Sequence, residues 1–384
     1  MNTESNLKDL GISGKLIEGL NELGINSPTE IQVKSIPFLL EKGTDFIGQA
    51  QTGTGKTAAF GVPILQNIDL SKKQVQALIL APTRELVQQI AKQLFRFTKY
   101  TDKIFTEGVY GGEKIDLQIE RLKRPTHIVV ATPGRLLDLL KENAVDLSRI
   151  KTLVLDEADE MLSMGFEDQL KRILDHTSGS RSTWLFSATM PGGIKAIIDQ
   201  HLDQNAFSVR IDAKNQVNSN ISHVYSICQA ADKNDRITAF LDDHGGERGL
   251  IFCRTKAGAT TLASVLAKLK YSADVLHGDM NQKERDKVMR AFKKERLDLL
   301  VATDVAARGI DIKELSFVIH QQLPEQMEYY THRSGRTARA GKKGTSYALI
   351  HPRDMERLKA IQAQLNIKFK QLHEKKVSPW DRIK

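Results

Sequence analysis

The chain is poor in cysteine: Cys228 and Cys253 are its only two in 384 residues. Two thiols so far apart supply neither a disulfide framework nor a cysteine-based metal cage, and they suit a reducing, cytoplasmic setting. Long apolar runs are also missing. No stretch approaches the ~20 residues that a membrane-spanning helix needs, so no membrane partner is expected. The opening MNTESNLKDLG lacks the basic patch and apolar stretch of a secretory signal. Short-period repeats and low-complexity tracts are absent, which argues against a solenoid or a disordered scaffold.

What is present is an ordinary globular composition, 40% hydrophobic and 27% charged. A chain of this length is too long for one comfortable core, and two domains are expected. The net charge of +9 is unevenly spread. Residues 1–210 carry 25 Lys and Arg against 26 Asp and Glu, whereas 211–384 carry 31 against 21. A basic half in a soluble chain suggests a polyanionic partner, nucleic acid first. Short β-rich runs (DFIGQA, ALILAP, HIVVAT, TLVLDE, TWLFSAT) alternate with helical stretches such as RELVQQIAKQLFRFTKY. Such alternation predicts βαβ units around a parallel sheet. The polar DAKNQVNSN at 212–220 interrupts the series and is expected to be a linker. GLIFCRT, LDLLVATD and SFVIHQ then begin a second series of similar plan. The expected division is 1–211, linker 212–220, 221–366, and a short basic tail over 367–384. In the last helical stretch, Leu358, Ile361 and Leu365 share one face, as core packing requires. The tail contains Trp380 and is expected to be solvated.

Residues 50–57, AQTGTGKT, stand between strand-like DFIG and helix-compatible AAFGVPIL, the setting of a phosphate loop. Gly53 and Gly55 let backbone N–H groups converge on phosphate, Lys56 adds charge at the β and γ phosphates, and the Thr57 hydroxyl suits Mg²⁺. Ala50, Gln51, Thr52 and Thr54 complete the loop, with Ala50 where the strict pattern has glycine. A second stretch, LVLDEADEML at 153–162, ends an apolar run in four acids. Alone it would read as a solvated turn leading into a helix. Beside a phosphate loop it reads as chemistry. Asp156 would hold Mg²⁺, and Glu157 would orient and deprotonate the water attacking the γ phosphate. Asp159 is less defined, and Glu160 is expected to face solvent.

With both stretches read, the sequence resembles the DEAD-box family of ATP-dependent RNA helicases. The family's motifs follow in order: PTEIQ 28–32, PTREL 82–86, GG 111–112, TPGR 132–135, SAT 187–189, HGDMNQKER 277–285, ATDVAARGID 302–311 and HRSGRTAR 332–339. The resemblance implies two tandem RecA-like α/β domains that close on ATP and RNA together. By the same resemblance Gln32 reads the adenine edge, where an amide offers both a donor and an acceptor. Leu7 stands where the family usually has an adenine-stacking Phe. Asp311 contacts the ribose, and Arg336 and Arg339 reach the γ phosphate, where a planar guanidinium suits spread charge. Ser187, Thr189, His332 and Asp159 link the nucleotide site to closure.

RNA contacts implied by the family fall on Arg84, Gly112, Thr132, Arg135, Arg254, Arg285 and Thr303, with Pro133 and Gln282 in support. Hydroxyls, arginines and close-approach glycines suit a salt-dependent grip on phosphate and ribose without base readout. The expected protein is a monomeric, Mg²⁺-dependent ATPase stimulated by RNA that separates short duplexes or remodels RNA–protein complexes. Two alternatives stay open on sequence: an ATP-gated RNA clamp with little turnover, and a DNA translocase of the same superfamily.

Overall fold

The structure, a computed structural model, describes residues 6–41, 44–51, 53–177, 179, 181–211, 220–307, 315–325, 327–338 and 342–372. The chain forms two compact units, Met1–Asp212 and Ala213–Lys384.

The first unit opens with α1 (Gly14–Glu22) and α2 (Glu30–Glu41) and then alternates. Its elements are β1 (Phe46–Gln49), α3 (Lys56–Gln66), β2 (Ala77–Leu80), α4 (Arg84–Phe97), β3 (Thr106–Val109), α5 (Ile115–Leu122), β4 (Ile128–Ala131) and α6 (Pro133–Lys141). They continue with β5 (Thr152–Asp156), α7 (Ala158–Ser163), α8 (Glu167–His176), β6 (Ser182–Ser187), α9 (Gly192–His201) and β7 (Phe207–Arg210). The seven strands form one sheet in the order β3-β4-β2-β5-β6-β1-β7, and every recorded pairing is parallel, as between β2 and β5 with Ile79 opposite Val154. Strands covered by helices on both faces must be apolar at every position, which is why ALIL and IVVA read as unbroken runs. Alternate residues serve opposite layers. Ile79 and Val154 join the core that holds Phe60 and Leu94, while Leu78, Leu80, Leu153 and Leu155 join the one that holds Leu136 and Ile173.

The second unit repeats the plan with β8 (Ile221–Ile227), α10 (Lys233–Asp243), β9 (Gly249–Cys253), α11 (Lys256–Lys268), β10 (Ala273–Leu276), α12 (Gln282–Lys293) and β11 (Leu299–Thr303). It finishes with α13 (Asp304–Ala307), β12 (Phe317–His320), α14 (Met327–Ser334), β13 (Gly344–Ile350), α15 (Met355–Leu365) and β14 (Phe369–Gln371). Its sheet order, β10-β11-β9-β12-β13-β8-β14, is that of the first unit strand for strand. Leu358 and Ile361 of α15 are buried, with Leu365 packed beside them.

Part of the expected tail is sheet. Phe369–Gln371 pair in parallel with His223–Tyr225 of β8, because the Phe369 ring sits edge-on to His223 and Tyr225 at 5.6 and 6.3 Å. The flanking Lys368 and Lys370 made the segment look solvated, whereas in a strand they leave Phe369 its own face. Residues 373–384 with Trp380 lie outside the described residues, as do 212–219 of the expected linker. Asn220 already bonds to the second sheet, its carbonyl accepting from Gly344 N at 3.0 Å.

Candidate functional site

Ligands of doubly wound folds collect at the carboxyl ends of the strands, and the candidate residues of the first unit gather there. The phosphate loop leaves β1 and enters α3 with Gly53 at φ 83° and Gly55 at φ 93°. Gly55 is required twice over: its backbone is left-handed, and a Cβ there would collide with the Gln32 amide. Gln32 is buried and braces the loop from behind, donating from Nε2 to the Gly55 carbonyl at 3.0 Å and accepting from Thr29 N at 2.9 Å. The Lys56 ammonium folds back on the loop's own start, donating to the Ala50 carbonyl at 3.1 Å. Thr54 Oγ1 donates to the Gln51 carbonyl at 2.8 Å. Thr57 lies in the first turn of α3, and Thr52 lies outside the described residues.

The acids end β5, separated from β1 by β6 alone. Asp156 is 3% exposed and accepts from Glu157 N at 3.0 Å. Burial pushes its carboxyl up to about 7, with Lys56 opposing the shift and the charges of Glu157 and Asp159 adding to it. Glu157 holds a left-handed backbone, φ 51° and ψ 49°, at the start of α7. For a residue with a Cβ that conformation costs about 1 kcal/mol. Asp159 is tied to the SAT segment: its Oδ2 accepts from Thr189 N and Oγ1, both at 2.8 Å, and Ser187 Oγ donates to the Thr189 carbonyl at 2.7 Å. Glu160, expected in solvent, is instead 5% exposed. On the short α7 it turns inward, where its Oε2 accepts from Ser163 Oγ at 3.2 Å.

Further along the same sheet edge, β2, β4 and β3 end side by side. Arg84 begins α4 behind its N-cap Thr83, whose hydroxyl accepts from Leu86 N at 3.2 Å. The Arg84 guanidinium lies over Gly112, which is left-handed at φ 90°, and a Cβ there would push the guanidinium away. Arg135 donates from Nη2 to the Glu113 carbonyl at 3.0 Å, and Thr132 and Pro133 form the cap and first residue of α6. Arg84, Gly112 and Arg135 are therefore brought together. Motif reading missed the residues behind them. Arg121 grips Glu113 in bidentate fashion at 2.9 and 2.6 Å, meets Glu107 at 2.6 Å, and holds the Glu113 carboxyl below the usual range.

In the second unit, β11 and β9 are neighbours, so Thr303 and Arg254 stand at adjacent strand ends. The Arg254 side chain is 64% exposed, 4.0 Å from Glu325. Gln282 opens α12 and donates to Asp286 Oδ1 at 2.8 Å, and Arg285 reaches the His277 carbonyl at 3.4 Å. Arg336 follows α14 and is buried, its N–H bonded to the Arg333 carbonyl at 3.1 Å. Asp311 and Arg339 lie outside the described residues.

The chain matches the DEAD/DEAH box helicase model over residues 29–197 and the helicase conserved C-terminal domain model over 232–341. It is 41% identical over 355 residues to the DEAD-box ATP-dependent RNA helicase CshA of Bacillus cereus, spanning 92% of this chain and 67% of that relative. The chain belongs to the DEAD-box family of ATP-dependent RNA helicases. Its fold is shared with S. cerevisiae Dbp5 bound to RNA and ADP BeF3 (TM-score 0.87, 32% identity, 96% and 95% of the two chains). It is also shared with Mss116p bound to ssRNA and AMP-PNP (TM-score 0.85, 29% identity, 97% and 81%). Both units of the helicase are thus RecA-like, and the enzyme uses ATP.

One detail sets this helicase apart from its motif consensus. Leu7, in the place of the stacking Phe, is 1% exposed and packs in the first unit's core. Arg333, unassigned by motif reading, is 3% exposed and makes a bidentate pair with Asp304 at 2.6 and 2.7 Å while lying over the Phe252 ring. Only the distance between them could have revealed that pair.

Proposed function

We propose that this helicase holds RNA by its backbone without reading sequence, and that it locally separates short duplexes or remodels RNA–protein complexes as it hydrolyses ATP. Gln32 recognises adenine, the loop from Ala50 to Thr57 cradles the phosphates, and Asp311 meets the ribose. Thr57 and Asp156 hold Mg²⁺, which when bound supplies positive charge to the phosphates. Asp156 suits that role because burial among other carboxylates makes its own negative charge unfavourable until a cation is near.

Glu157 takes the proton of the attacking water. Arg336, with Arg339, carries charge from the second unit to the γ phosphate, so hydrolysis requires both units to engage substrate. Asp159, Ser187, Thr189 and His332 couple that engagement to RNA held by Arg84, Gly112, Thr132, Arg135, Arg254, Gln282, Arg285 and Thr303. A monomer working in the cytoplasm fits this reading.

The observation that carries the proposal is the buried Asp156–Glu157 pair within electrostatic reach of Lys56, on the sheet edge that also bears Arg84, Gly112 and Arg135. The test is ATP turnover with RNA or DNA as activator. RNA is expected to stimulate and DNA not, and Arg336→Ala is expected to lower the stimulated rate about 10³-fold or more with ATP still bound. Equal stimulation by DNA would overturn the substrate assignment. Unchanged turnover in Arg336→Ala would overturn the arginine's role.

A further inference from the structure

The helix that leads to Arg336 meets its sheet through polar groups. Tyr330, Arg333 and Ser334 of α14 stand at i, i+3 and i+4 and so share one face. In the second unit that face meets Ser346 of β13, His320 of β12 and His223 of β8. Ser346 Oγ is a hub, 2.9 Å from His320 Nε2, 3.1 Å from the Tyr330 hydroxyl and 3.0 Å from Ser334 Oγ. Tyr330 and Ser346 are 0% exposed, as is His320. The Tyr330 hydroxyl also meets His223 Nδ1 at 2.6 Å.

The protons of this network are largely fixed. A guanidinium can only donate, so the 3.4 Å contact of Arg333 Nη1 with His320 Nδ1 leaves that nitrogen as an acceptor. His320 is neutral, held well below the usual imidazole range by burial and then by the Arg333 charge. Its one proton is therefore on Nε2 and is donated to Ser346. Ser346 meets its two other hydroxyl partners with its one donor and remaining lone pair, so its capacity is full.

An apolar face would hold α14 against the sheet without fixing its rotation, because apolar contact is not directional. Hydrogen bonds weaken steeply when misaligned, so the hub sets the angle of the helix about its own axis. Each residue adds about 100°. Fixing Tyr330 and Ser334 thus fixes His332, on the far side of the turn, and the chain leaving toward Arg336.

We propose that Tyr330, Ser346 and His320 are positioning residues for ATP hydrolysis, a hydroxyl–imidazole hub that sets the rotation of α14 and so the placement of His332 and Arg336. The inference rests on the reading of Arg336 given above. Its test uses the full chain with saturating RNA and two variants that remove one oxygen each, Tyr330→Phe and Ser346→Ala, with thermal unfolding followed in parallel. In both, kcat is expected to fall about ten- to a hundredfold, the loss that small misplacements cause, while KM for ATP stays close to that of the parent. Tyr225→Phe, which removes a hydroxyl 3.3 Å from exposed Gln371, is expected to keep the parent kcat. With Arg336→Ala already present, Tyr330→Phe is expected to add no further loss.

Three results would overturn the hub. One is a parent-level kcat in both oxygen-deletion variants while Arg336→Ala abolishes stimulation. Another is a fall in kcat matched by the fraction of unfolded protein. The third is a full, additive loss from Tyr330→Phe in the Arg336→Ala background. Unchanged turnover in Arg336→Ala itself would instead remove the reading beneath the hub, and the hub with it.

Discussion

Asp156 illustrates how a side chain that is poor for the fold can suit the task proposed for it. Its carboxyl titrates near 7 in the folded chain, raised by burial, whereas an unfolded aspartate titrates at about 3.9. Between those values the folded state binds more protons than the unfolded one, so stability without nucleotide decreases as pH rises from about 4 through 7. Asp156→Asn is expected to remove that dependence and to raise first-unit stability at pH 8 by on the order of 4 kcal/mol, measured by denaturant unfolding, while abolishing hydrolysis. A variant with the parent's pH profile would show that the buried charge is relieved elsewhere. Asp156 and Glu157 were picked out as candidates from their neighbours in sequence, and both are buried at the end of β5. The burial of Glu160 was not legible, because inward or outward orientation on a helix of six residues depends on what packs against it.

At the scale of elements, the loop after β3, to which we assign RNA contact, is held by a charge clamp that no motif names. Arg121 on α5 joins Glu113 in the loop to Glu107 on β3, and the Glu113 carbonyl in turn receives Arg135. The three side chains are a fifth to a third exposed, so the clamp is screened, and its worth is modest in stability. Its effect is expected on binding. Arg121→Ala should weaken RNA affinity roughly three- to tenfold, the equivalent of about 1 kcal/mol of lost loop preorganisation, with ATP affinity in the absence of RNA unchanged. Fluorescence anisotropy with a labelled single strand measures it, and unaltered RNA binding would show that Gly112 and Arg135 hold their positions without the clamp. The strands were mostly legible because parallel strands covered on both faces are unbroken apolar runs. Edge strands β3, β7, β10 and β14 were not, since TEGV, FSVR, ADVL and FKQ carry polar residues where a covered strand has none, and neither were β8 and β13, whose ISHVYSI and GTSYALI are interrupted by Ser, Thr and His.

Across the whole molecule, two units share one topology but differ in their loops and charge. Only the first places a glycine-bearing loop after the strand equivalent to β1. The corresponding segment after β8, CQAADK, contains no glycine and leads into α10 through a short helical turn. The second unit carries the surplus of positive charge. If Arg84, Arg135, Arg254 and Arg285 each neutralise a phosphate, the logarithm of RNA affinity should fall with the logarithm of salt concentration with a slope of roughly −3, at about 0.7 per contact on a single strand. Arg254→Ala should reduce that slope by about 0.7, and an unchanged slope would remove Arg254 from the phosphate contacts.

The order and identity of the groups we assign to the reaction come from the sequence alone, because cradling a phosphate, holding a hard cation and activating water each demand particular atoms at particular spacings. The fold class follows from it too, through the alternation of apolar runs and amphipathic stretches. What tertiary structure alone decided is the support: Gln32 against Gly55, Arg121 against Glu113, Arg333 against Asp304, and the hydroxyl hub under α14. Many residue types could serve in such places, and partners separated by tens of residues in sequence are chosen only by the distance that folding leaves between them.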